Sequence, residues 1–282
     1  MIKMEIMPRE CSKQASLHKK THRDKDEKIK YIDISCGKEP IPINMIAKER
    51  TKLIKKFNYL SNYIVECQIQ NKILDDYLLP KTSCCNCSPI CSQSTCQCIS
   101  NHAQIYECNE YCKCEENCSN RTIQNGINKK LLLKYINKNK GFGLFANENL
   151  KKGDFICEYI GIIISKDEAE KKIHLNHKKQ KPNYILQIKE SYSKVEINTY
   201  IDAEIYGNIG RFINHSCEPN LNFEFIRIKH YIPHVAFFAN KDISKGEELT
   251  FMYCEYQNSV NEGLSYKKCE CGAKTCKKFI PN

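Results

Sequence analysis

Clustered cysteines are the residues of this chain with the clearest chemistry. Of 19 cysteines, ten lie between Cys84 and Cys118, where few apolar side chains separate them. In a reducing compartment such a cluster is more often a metal site than a set of disulfides, and Cys-x-Cys spacing suits tetrahedral zinc. A segment so poor in core residues needs a metal ion to become ordered. Without Cys84, which adjoins the first of them, the predicted ligands are Cys85, Cys87, Cys91, Cys96, Cys98, Cys108, Cys112, Cys114 and Cys118.

The number of zinc ions does not follow from nine ligands, because zinc prefers four. Three ions would require three thiolates to bridge between ions, whereas two separate four-cysteine sites would leave one cysteine spare. A second group near the C-terminus, Cys269, Cys271 and Cys276, supplies only three ligands. Zinc prefers a fourth ligand, which this group does not itself supply.

The segment Gly207–Asn220, with the sequence GNIGRFINHSCEPN, is the second concentration of reactive and turn-forming residues. Such a composition cannot continue a helix or a regular strand. Its Asn-His-Ser-Cys run can offer backbone polar groups to a ligand and a thiolate to a metal ion together. We expect the rest of the chain to position this loop.

Short strand-like runs make up most of the chain after the cysteine cluster: LLLKYI, FICEYIGIII, YILQI, TYID, HVAFFA and ELTF. Gly, Asn and Lys interrupt them too often for a parallel doubly wound sheet. One helix is predicted from Lys166 to about His177, because Ser165 and Glu168 form a capping-box pattern. Helical spacing predicts another helix, before the cysteine cluster, through Ile46, Leu53, Phe57, Leu60 and Ile64.

The net charge of +11 is consistent with a solvated basic surface or with attraction to nucleic acid or chromatin. No apolar run approaches the roughly 18 residues that a membrane span needs. The first residues, MIKMEIMPRE, are too charged for a secretory signal peptide. These features predict a soluble intracellular protein without membrane contact, in which residues 1–28 form a disordered basic tail.

Arg211–Cys217, with the sequence RFINHSC followed by Glu-Pro-Asn, resembles the characteristic loop of the SET-domain protein lysine methyltransferases. The nine-cysteine spacing is similar to the pre-SET domain of that family, which implies three zinc ions with bridging thiolates. The C-terminal CECGAKTCKKF resembles the post-SET segment and implies that Cys217 completes a fourth zinc site. The words YIDISCGKEPIPI and FNYLSNY resemble the lead-in of the heterochromatic type, which acts on lysine nine of histone H3.

This resemblance covers about residues 30–282 and implies a mostly β SET-domain fold, with small curved sheets and a knot-like C-terminal loop. The implied organisation is the tail at 1–28, a pre-SET domain with its zinc cluster at 29–126, a SET domain at 127–254 and a zinc-binding post-SET segment at 255–282.

The resemblance also implies a site for S-adenosylmethionine and an aromatic channel for the substrate lysine. In such a channel the rings exclude water, and a tyrosine hydroxyl orients the neutral ε-amine. The Gly-Phe-Gly word after Lys140 is similar to the family's donor-binding strand, where glycine permits close approach. The implied donor-binding residues are Lys140, Gly141, Phe142, Tyr184, Arg211, Asn214 and His215. The implied catalytic residues are Tyr253, Tyr184 and Phe251.

Lysine nine of histone H3, in the histone tail or the nucleosome, is the substrate that the lead-in favours. In this family a phenylalanine at the position of Phe251 implies di- or trimethylation. The words KIHL, NYI and CGAKTCKKFIP resemble family members fused to a mariner transposase, which keeps lysine thirty-six as the alternative. The implied location is the nucleus and the chromosome, with possible non-specific DNA contact.

Four positions depart from the family's usual residues: Met252 replaces Asp, Ile162 replaces Glu, Glu204 replaces Arg and Gly210 replaces Ser. None removes a donor ligand or Tyr253, so they affect rate and substrate choice more than the class of reaction. They also motivate a rival interpretation, a chromatin adaptor that has kept the SET fold with little catalysis. A zinc protein that binds nucleic acid is a third alternative.

Overall fold

The computed structural model describes residues 30–46, 48–49, 57–65, 84–92, 96–100, 105–192, 195–228, 232–253 and 266–281. The tail predicted at residues 1–28 lies outside them. The helices are α1 (Gln97–Ser100), α2 (Lys166–Lys178) and a 3-10 helix (Ile209–Phe212). The strands are β1 (Tyr31–Asp33), β2 (Asn44–Ile46), β3 (Asn58–Tyr59), β4 (Ile64–Val65), β5 (Ile105–Tyr106), β6 (Leu131–Asn137), β7 (Gly141–Ala146), β8 (Phe155–Glu158), β9 (Ile162–Ile164), β10 (Ile185–Tyr192), β11 (Val195–Asp202), β12 (Tyr206–Gly207), β13 (Asn214–His215), β14 (Leu221–Arg227), β15 (His234–Ala239), β16 (Thr250–Phe251), β17 (Tyr266–Lys268) and β18 (Phe279–Pro281).

The first sheet joins the segment before the cysteine cluster to the β6–β7 hairpin, in the order β1-β2-β6-β7. Strand β2 runs parallel to β6, and the other neighbours are antiparallel. Leu131 and Leu133 are fully buried, because alternate side chains of a strand face the same side. The hairpin tip places Lys140 beside Gly141, whose φ of 73° favours glycine.

The second sheet has the order β10-β11-β9-β4 and carries helix α2. The helix begins as predicted, since the Glu168 backbone N–H donates to Ser165 Oγ at 3.2 Å. It ends one residue beyond the predicted His177, so this prediction is confirmed. Of the helices that the structure describes, α2 is the longest at 13 residues, and none is long and apolar enough to cross a membrane.

The third sheet, in the order β5-β14-β15-β8, attaches the cysteine segment to the rest of the molecule. Strand β5 lies between the two cysteine runs and pairs in parallel with β14. The Glu107 backbone N–H donates to the Arg227 carbonyl at 2.8 Å, and Asn109 Nδ2 donates to the Ile228 carbonyl at 2.9 Å. The cysteine cluster is therefore held to this sheet by backbone pairing and by the Asn109 side chain.

A two-stranded parallel pair brings the Asn-His-Ser-Cys loop against the ELTF strand. Strand β13 pairs with β16, so that Asn214 lies opposite Thr250 and His215 opposite Phe251. The pair sits on the main hydrophobic core, in which Phe237 and Leu249 are fully buried. The cysteines form a separate buried cluster that otherwise contains few apolar side chains.

The prediction of a helix before the cysteine cluster is wrong for the residues that the structure describes. Residues 57–65 contain β3 and β4, and β4 pairs in parallel with β9. Phe57 packs edge-on against Phe212 with a centroid distance of 5.5 Å. Strand pairing with the core therefore overrides the weak helical spacing of a few apolar residues. Leu53 lies outside the described residues.

Candidate active site and zinc centres

The sulfurs of the predicted nine-cysteine cluster lie together, and all nine cysteines are free of disulfides. The Sγ atoms of Cys85 and Cys91 are 3.4 Å apart, and those of Cys85 and Cys108 are 3.8 Å apart. A disulfide requires about 2.0 Å, whereas two sulfurs bound to one tetrahedral zinc ion lie about 3.8 Å apart. The observed distances therefore fit zinc ligands.

The sulfurs form overlapping groups of four, in each of which all Sγ atoms lie within 4.8 Å of one another. These groups are Cys85, Cys87, Cys91 and Cys96; Cys85, Cys96, Cys98 and Cys108; and Cys85, Cys91, Cys108 and Cys114. Cys112 lies 3.7 Å from Cys98 between sulfurs, and Cys118 is buried in the same cluster. Shared sulfurs favour bridged ions over the two separate sites that the sequence left open.

Polar groups around the cluster donate to its sulfurs. Asn120 Nδ2 lies 3.3 Å from Cys108 Sγ, and Arg121 Nη2 lies 3.7 Å from Cys114 Sγ. Nine thiolates carry more negative charge than three divalent ions can neutralise, so such donors stabilise the loaded cluster.

The structure brings the distant Cys217 to the C-terminal cysteines, and the group of four can hold one zinc ion: Cys217, Cys269, Cys271 and Cys276. The sulfurs of Cys217 and Cys269 are 4.0 Å apart. The Lys277 backbone N–H donates to Cys217 Sγ at 3.3 Å, and the Thr275 hydroxyl donates to Glu218 Oε1 at 2.5 Å. The C-terminal segment is thereby fastened over the loop.

Asn208 sets the path of the chain into the loop. Its Oδ1 accepts hydrogen bonds from the backbone N–H groups of Gly210 at 3.0 Å and Ile160 at 3.2 Å. Its Nδ2 donates to the Glu158 carbonyl at 2.9 Å. The side chain therefore caps the 3-10 helix Ile209–Phe212 and ties it to β8.

His215 is buried and neutral. Its Nδ1 accepts from the Tyr253 backbone N–H at 3.2 Å, which leaves the proton on Nε2, 3.4 Å from Cys217 Sγ. Burial lowers the pKa of His215 to about 4. The imidazole thus links Cys217 to the segment that follows β16 and contains Tyr253.

Tyr253 and Phe251 form one wall of an aromatic group, with ring centroids 4.9 Å apart. Phe251 also packs on Phe237 at 4.8 Å. Although 43% of Tyr253 is exposed, its hydroxyl donates to the buried Ile213 carbonyl at 3.1 Å. Desolvation, with a further contribution from nearby Tyr184, raises the pKa of Tyr253 above its usual value, so the hydroxyl stays protonated at neutral pH.

Arg211 covers the ring of Tyr184. Its guanidinium carbon lies 3.7 Å from the Tyr184 centroid and 5.0 Å from that of Phe57. Nη1 donates to the Glu204 carbonyl at 2.5 Å, while Nε and Nη2 meet no acceptor among the described residues. The backbone of Glu204, and not its side chain, therefore anchors Arg211.

The chain is similar to proteins of known activity. The protein family described as "SET domain" matches residues 141–254 of this chain. The rat protein "Histone-lysine N-methyltransferase SETMAR" is 31% identical over 93% of this chain and 90% of its own length.

The chain belongs to the SET-domain family of histone-lysine N-methyltransferases.

The crystal structure of the methyltransferase domain of human SETMAR superimposes on this SET-domain methyltransferase with a TM-score of 0.73 and 31% identity, over 88% of this chain and 97% of the other. KRYPTONITE, solved in complex with mCHH DNA, an H3(1-15) peptide and SAH, gives a TM-score of 0.67 and 28% identity, over 88% and 53% of the two chains. The expected mostly β SET fold is confirmed.

Glu248 is a residue of this methyltransferase site that the sequence did not single out. Its carboxylate binds Lys140 Nζ at 2.7 Å and Asn214 Nδ2 at 2.8 Å. Lys140, predicted to bind the donor, therefore has its ammonium already paired within the protein. In the sequence, Glu248 is one of two adjacent carboxylates in EELTF. Nothing local distinguishes it, because its partners Lys140 and Asn214 are distant in the sequence.

Gly210 has a steric explanation in this SET domain. A Cβ atom there would lie 2.3 Å from the Glu158 carbonyl oxygen, so the serine usual in the family has no room here. We expect Gly210→Ser to lower the free energy of unfolding by about 1–3 kcal/mol, because backbone must move. The melting temperature would report this loss of stability. Lys189→Ser, at an exposed position, is the control. An unchanged melting temperature for Gly210→Ser would contradict the steric argument.

Proposed function

We propose that this methyltransferase transfers methyl groups from S-adenosylmethionine to lysine nine of histone H3, in the nucleus and on chromosomes. The observation that supports this most is the convergence of the Asn-His-Ser-Cys loop, the β6–β7 hairpin and the Phe251–Tyr253 aromatic wall beneath the C-terminal cysteines. The H3(1-15) peptide in the KRYPTONITE complex contains lysine nine and not lysine thirty-six.

The donor would be held by Gly141, Phe142, Asn214 and His215, with Lys140, Tyr184 and Arg211 around it. Asn214 Nδ2 donates to the Phe142 carbonyl at 3.0 Å, which joins the two segments that must meet around the donor. The KRYPTONITE complex contains SAH, so a homologous fold accommodates a ligand of this type. S-adenosylmethionine supplies a methyl group on a sulfonium cation.

The protein's part in transfer is to present a neutral, desolvated amine in line with that methyl group. The protonated Tyr253 hydroxyl donates to the Ile213 carbonyl, so its oxygen lone pairs are free to accept an N–H of the substrate amine. Phe251 excludes water beside it and offers a ring face to the methylammonium product, whereas Tyr184, with one face against the Arg211 guanidinium, would line the channel with the rest of its ring. Tyr253 is the residue to which we assign the main catalytic role.

Zinc is structural in this proposal. The nine-cysteine cluster would hold three ions, and Cys217 with its three C-terminal partners would hold a fourth. The fourth site closes the tail over the loop and leaves no open coordination position for chemistry.

Non-specific DNA contact is proposed for the C-terminal tail. It carries five exposed lysines, which are Lys267, Lys268, Lys274, Lys277 and Lys278. Lysines of one surface neutralise phosphates without reading sequence, so this contact would be salt-dependent.

Product multiplicity is expected to depend on Phe251. In this family a tyrosine at this position, with its ordered water, occupies space that phenylalanine leaves open. The wild-type protein should therefore form di- and trimethyl-lysine, and Phe251→Tyr should shift the products toward monomethyl-lysine. Mass spectrometry of a histone H3 peptide would measure the shift, with Phe279→Tyr, an exposed ring on β18, as the control. Identical product distributions in wild type and Phe251→Tyr would refute the assignment.

The target lysine is tested by incubating the zinc-loaded chain with labelled S-adenosylmethionine and histone H3 or nucleosomes. Matched substrates carry arginine in place of lysine nine or of lysine thirty-six. Labelling lost only with the first substitution supports our proposal, and labelling lost only with the second supports the SETMAR-like alternative. Donor binding without transfer to any histone would instead support the chromatin adaptor. That alternative is suggested by the half-buried Met252, which replaces the Asp usual in the family.

A further inference from the structure

Three segments of the donor region meet at one side chain, Glu248. Its Oε2 lies 2.7 Å from Lys140 Nζ, at the tip of the β6–β7 hairpin. Its Oε1 accepts from Asn214 Nδ2 at 2.8 Å, and the same Nδ2 donates to the Phe142 carbonyl at 3.0 Å. The carboxylate thus connects the hairpin, the loop and the segment that leads into β16.

The backbone of Glu248 is fixed as firmly as its side chain. Asn220 Nδ2 donates to the Glu248 carbonyl at 2.9 Å, and the Leu249 N–H donates to the Leu144 carbonyl at 2.7 Å. Glu248 also forms an antiparallel bridge with Phe145. The carboxylate is therefore presented from a rigid position, as preorganisation of a binding site requires.

Gly143 leaves the space in which this carboxylate meets the Asn214 amide. A Cβ atom at Gly143 would lie 3.0 Å from Glu248 Oε1, 3.1 Å from Asn214 Nδ2 and 2.5 Å from Ile136 Cδ1. The second glycine of the Gly-Phe-Gly word thus admits a protein carboxylate–amide pair on this side of the hairpin.

We propose that Glu248 is the positioning residue of the methyl-donor site. This inference rests on the donor site assigned under the proposed function. The Asn214 Nδ2 group donates one N–H to Glu248 Oε1 and the other to the Phe142 carbonyl. A ligand would therefore meet the Asn214 side chain at Oδ1, which is a hydrogen-bond acceptor. Glu248 Oε2 holds Lys140, and with it the hairpin tip. The Lys140 and Glu248 side chains are 16% and 22% exposed, so these charge-assisted bonds are only partly weakened by solvent.

The test measures donor affinity by calorimetry on zinc-loaded protein, for wild type, Glu248→Gln and Glu247→Gln. Glu247 is the matched control, since its Oε1 accepts from the Ser244 N–H in an exposed turn and, among the described residues, its carboxylate has no hydrogen bond to the hairpin or the loop. We expect Glu248→Gln to raise the dissociation constant of S-adenosylmethionine about tenfold, through loss of charge-assisted bonds. Steady-state kinetics should show a raised KM for the donor and an unchanged KM for the peptide.

Lys140→Met provides a second variant that tests the coupling. If Lys140 acts through Glu248, the double variant should bind the donor no more weakly than Glu248→Gln alone. Equal affinities of wild type and Glu248→Gln would overturn the positioning role and leave the donor site standing. A wild-type protein that does not bind the donor would overturn the proposed function and this inference with it. Zinc content and melting temperature establish that each variant is folded.

Discussion

Tyr253→Phe is expected to lower kcat for histone methylation by about a hundredfold or more, with the affinity for S-adenosylmethionine unchanged. The hydroxyl is the polar group at the aromatic wall that can orient a substrate amine, and losing such a group typically costs two orders of magnitude or more. The phenylalanine ring keeps the packing on Phe251 at 4.9 Å and on His215 at 5.4 Å. Single-turnover transfer to a histone H3 peptide, with calorimetry of the donor, measures both quantities.

Tyr31→Phe is the matched control, because Tyr31 is 51% exposed at the start of β1. It removes one tyrosine hydroxyl away from the aromatic wall and should leave kcat and donor affinity at wild-type values. If Tyr253→Phe also kept wild-type kcat, the hydroxyl would have no catalytic role. If it lost donor binding in parallel with kcat, the residue would belong to the donor site instead.

Local spacing predicts the features of this enzyme that depend on neighbours in the sequence. Spacing predicts Cys85 and Cys91 in one metal cluster because ligands a few residues apart can reach one ion, and their sulfurs do lie together. The α2 helix was predicted from its capping box, which is likewise local. The pairing of Cys217 with the C-terminal cysteines came only from family resemblance, because no local rule connects loops so far apart.

Tertiary pairing decides the features that spacing could not predict. Glu248 meets Lys140 and Asn214 only when the β6–β7 hairpin and β13 are placed beside it. The stacking of Arg211 on Tyr184 likewise depends on how the 3-10 helix approaches β10. The wrong helix over residues 57–65 has the same cause, since a few apolar residues satisfy either period until β9 pairs with β4. Gly210 was noted as a departure, but its reason is the Glu158 carbonyl, which sequence does not place.

Cys276→Ser is expected to remove one zinc ion, release the C-terminal tail and lower histone methylation by about a hundredfold. The side-chain hydrogen bonds that the described part of the tail makes to the rest of the chain include three at the surface, which are weak: Thr275 with Glu218, and Asn139 with Glu270 and Lys267. A zinc–thiolate site supplies several times the free energy of such contacts, so the tail depends on it. Elemental analysis should fall from four zinc ions to three, and limited proteolysis should cut the tail.

Cys36→Ser is the control, since Cys36 is exposed and lies in none of the sulfur groups. It should retain four zinc ions and full activity. Retention of the fourth zinc ion by Cys276→Ser would contradict the assigned ligand set. If activity and the melting transition were lost together, the variant would be generally unfolded. If activity were lost while three zinc ions and a wild-type melting transition remained, the loss would be due to release of the tail. In that second case the zinc would act by geometry alone: it would hold Cys217, and through His215 the segment of Tyr253, in the closed arrangement that a desolvated amine requires.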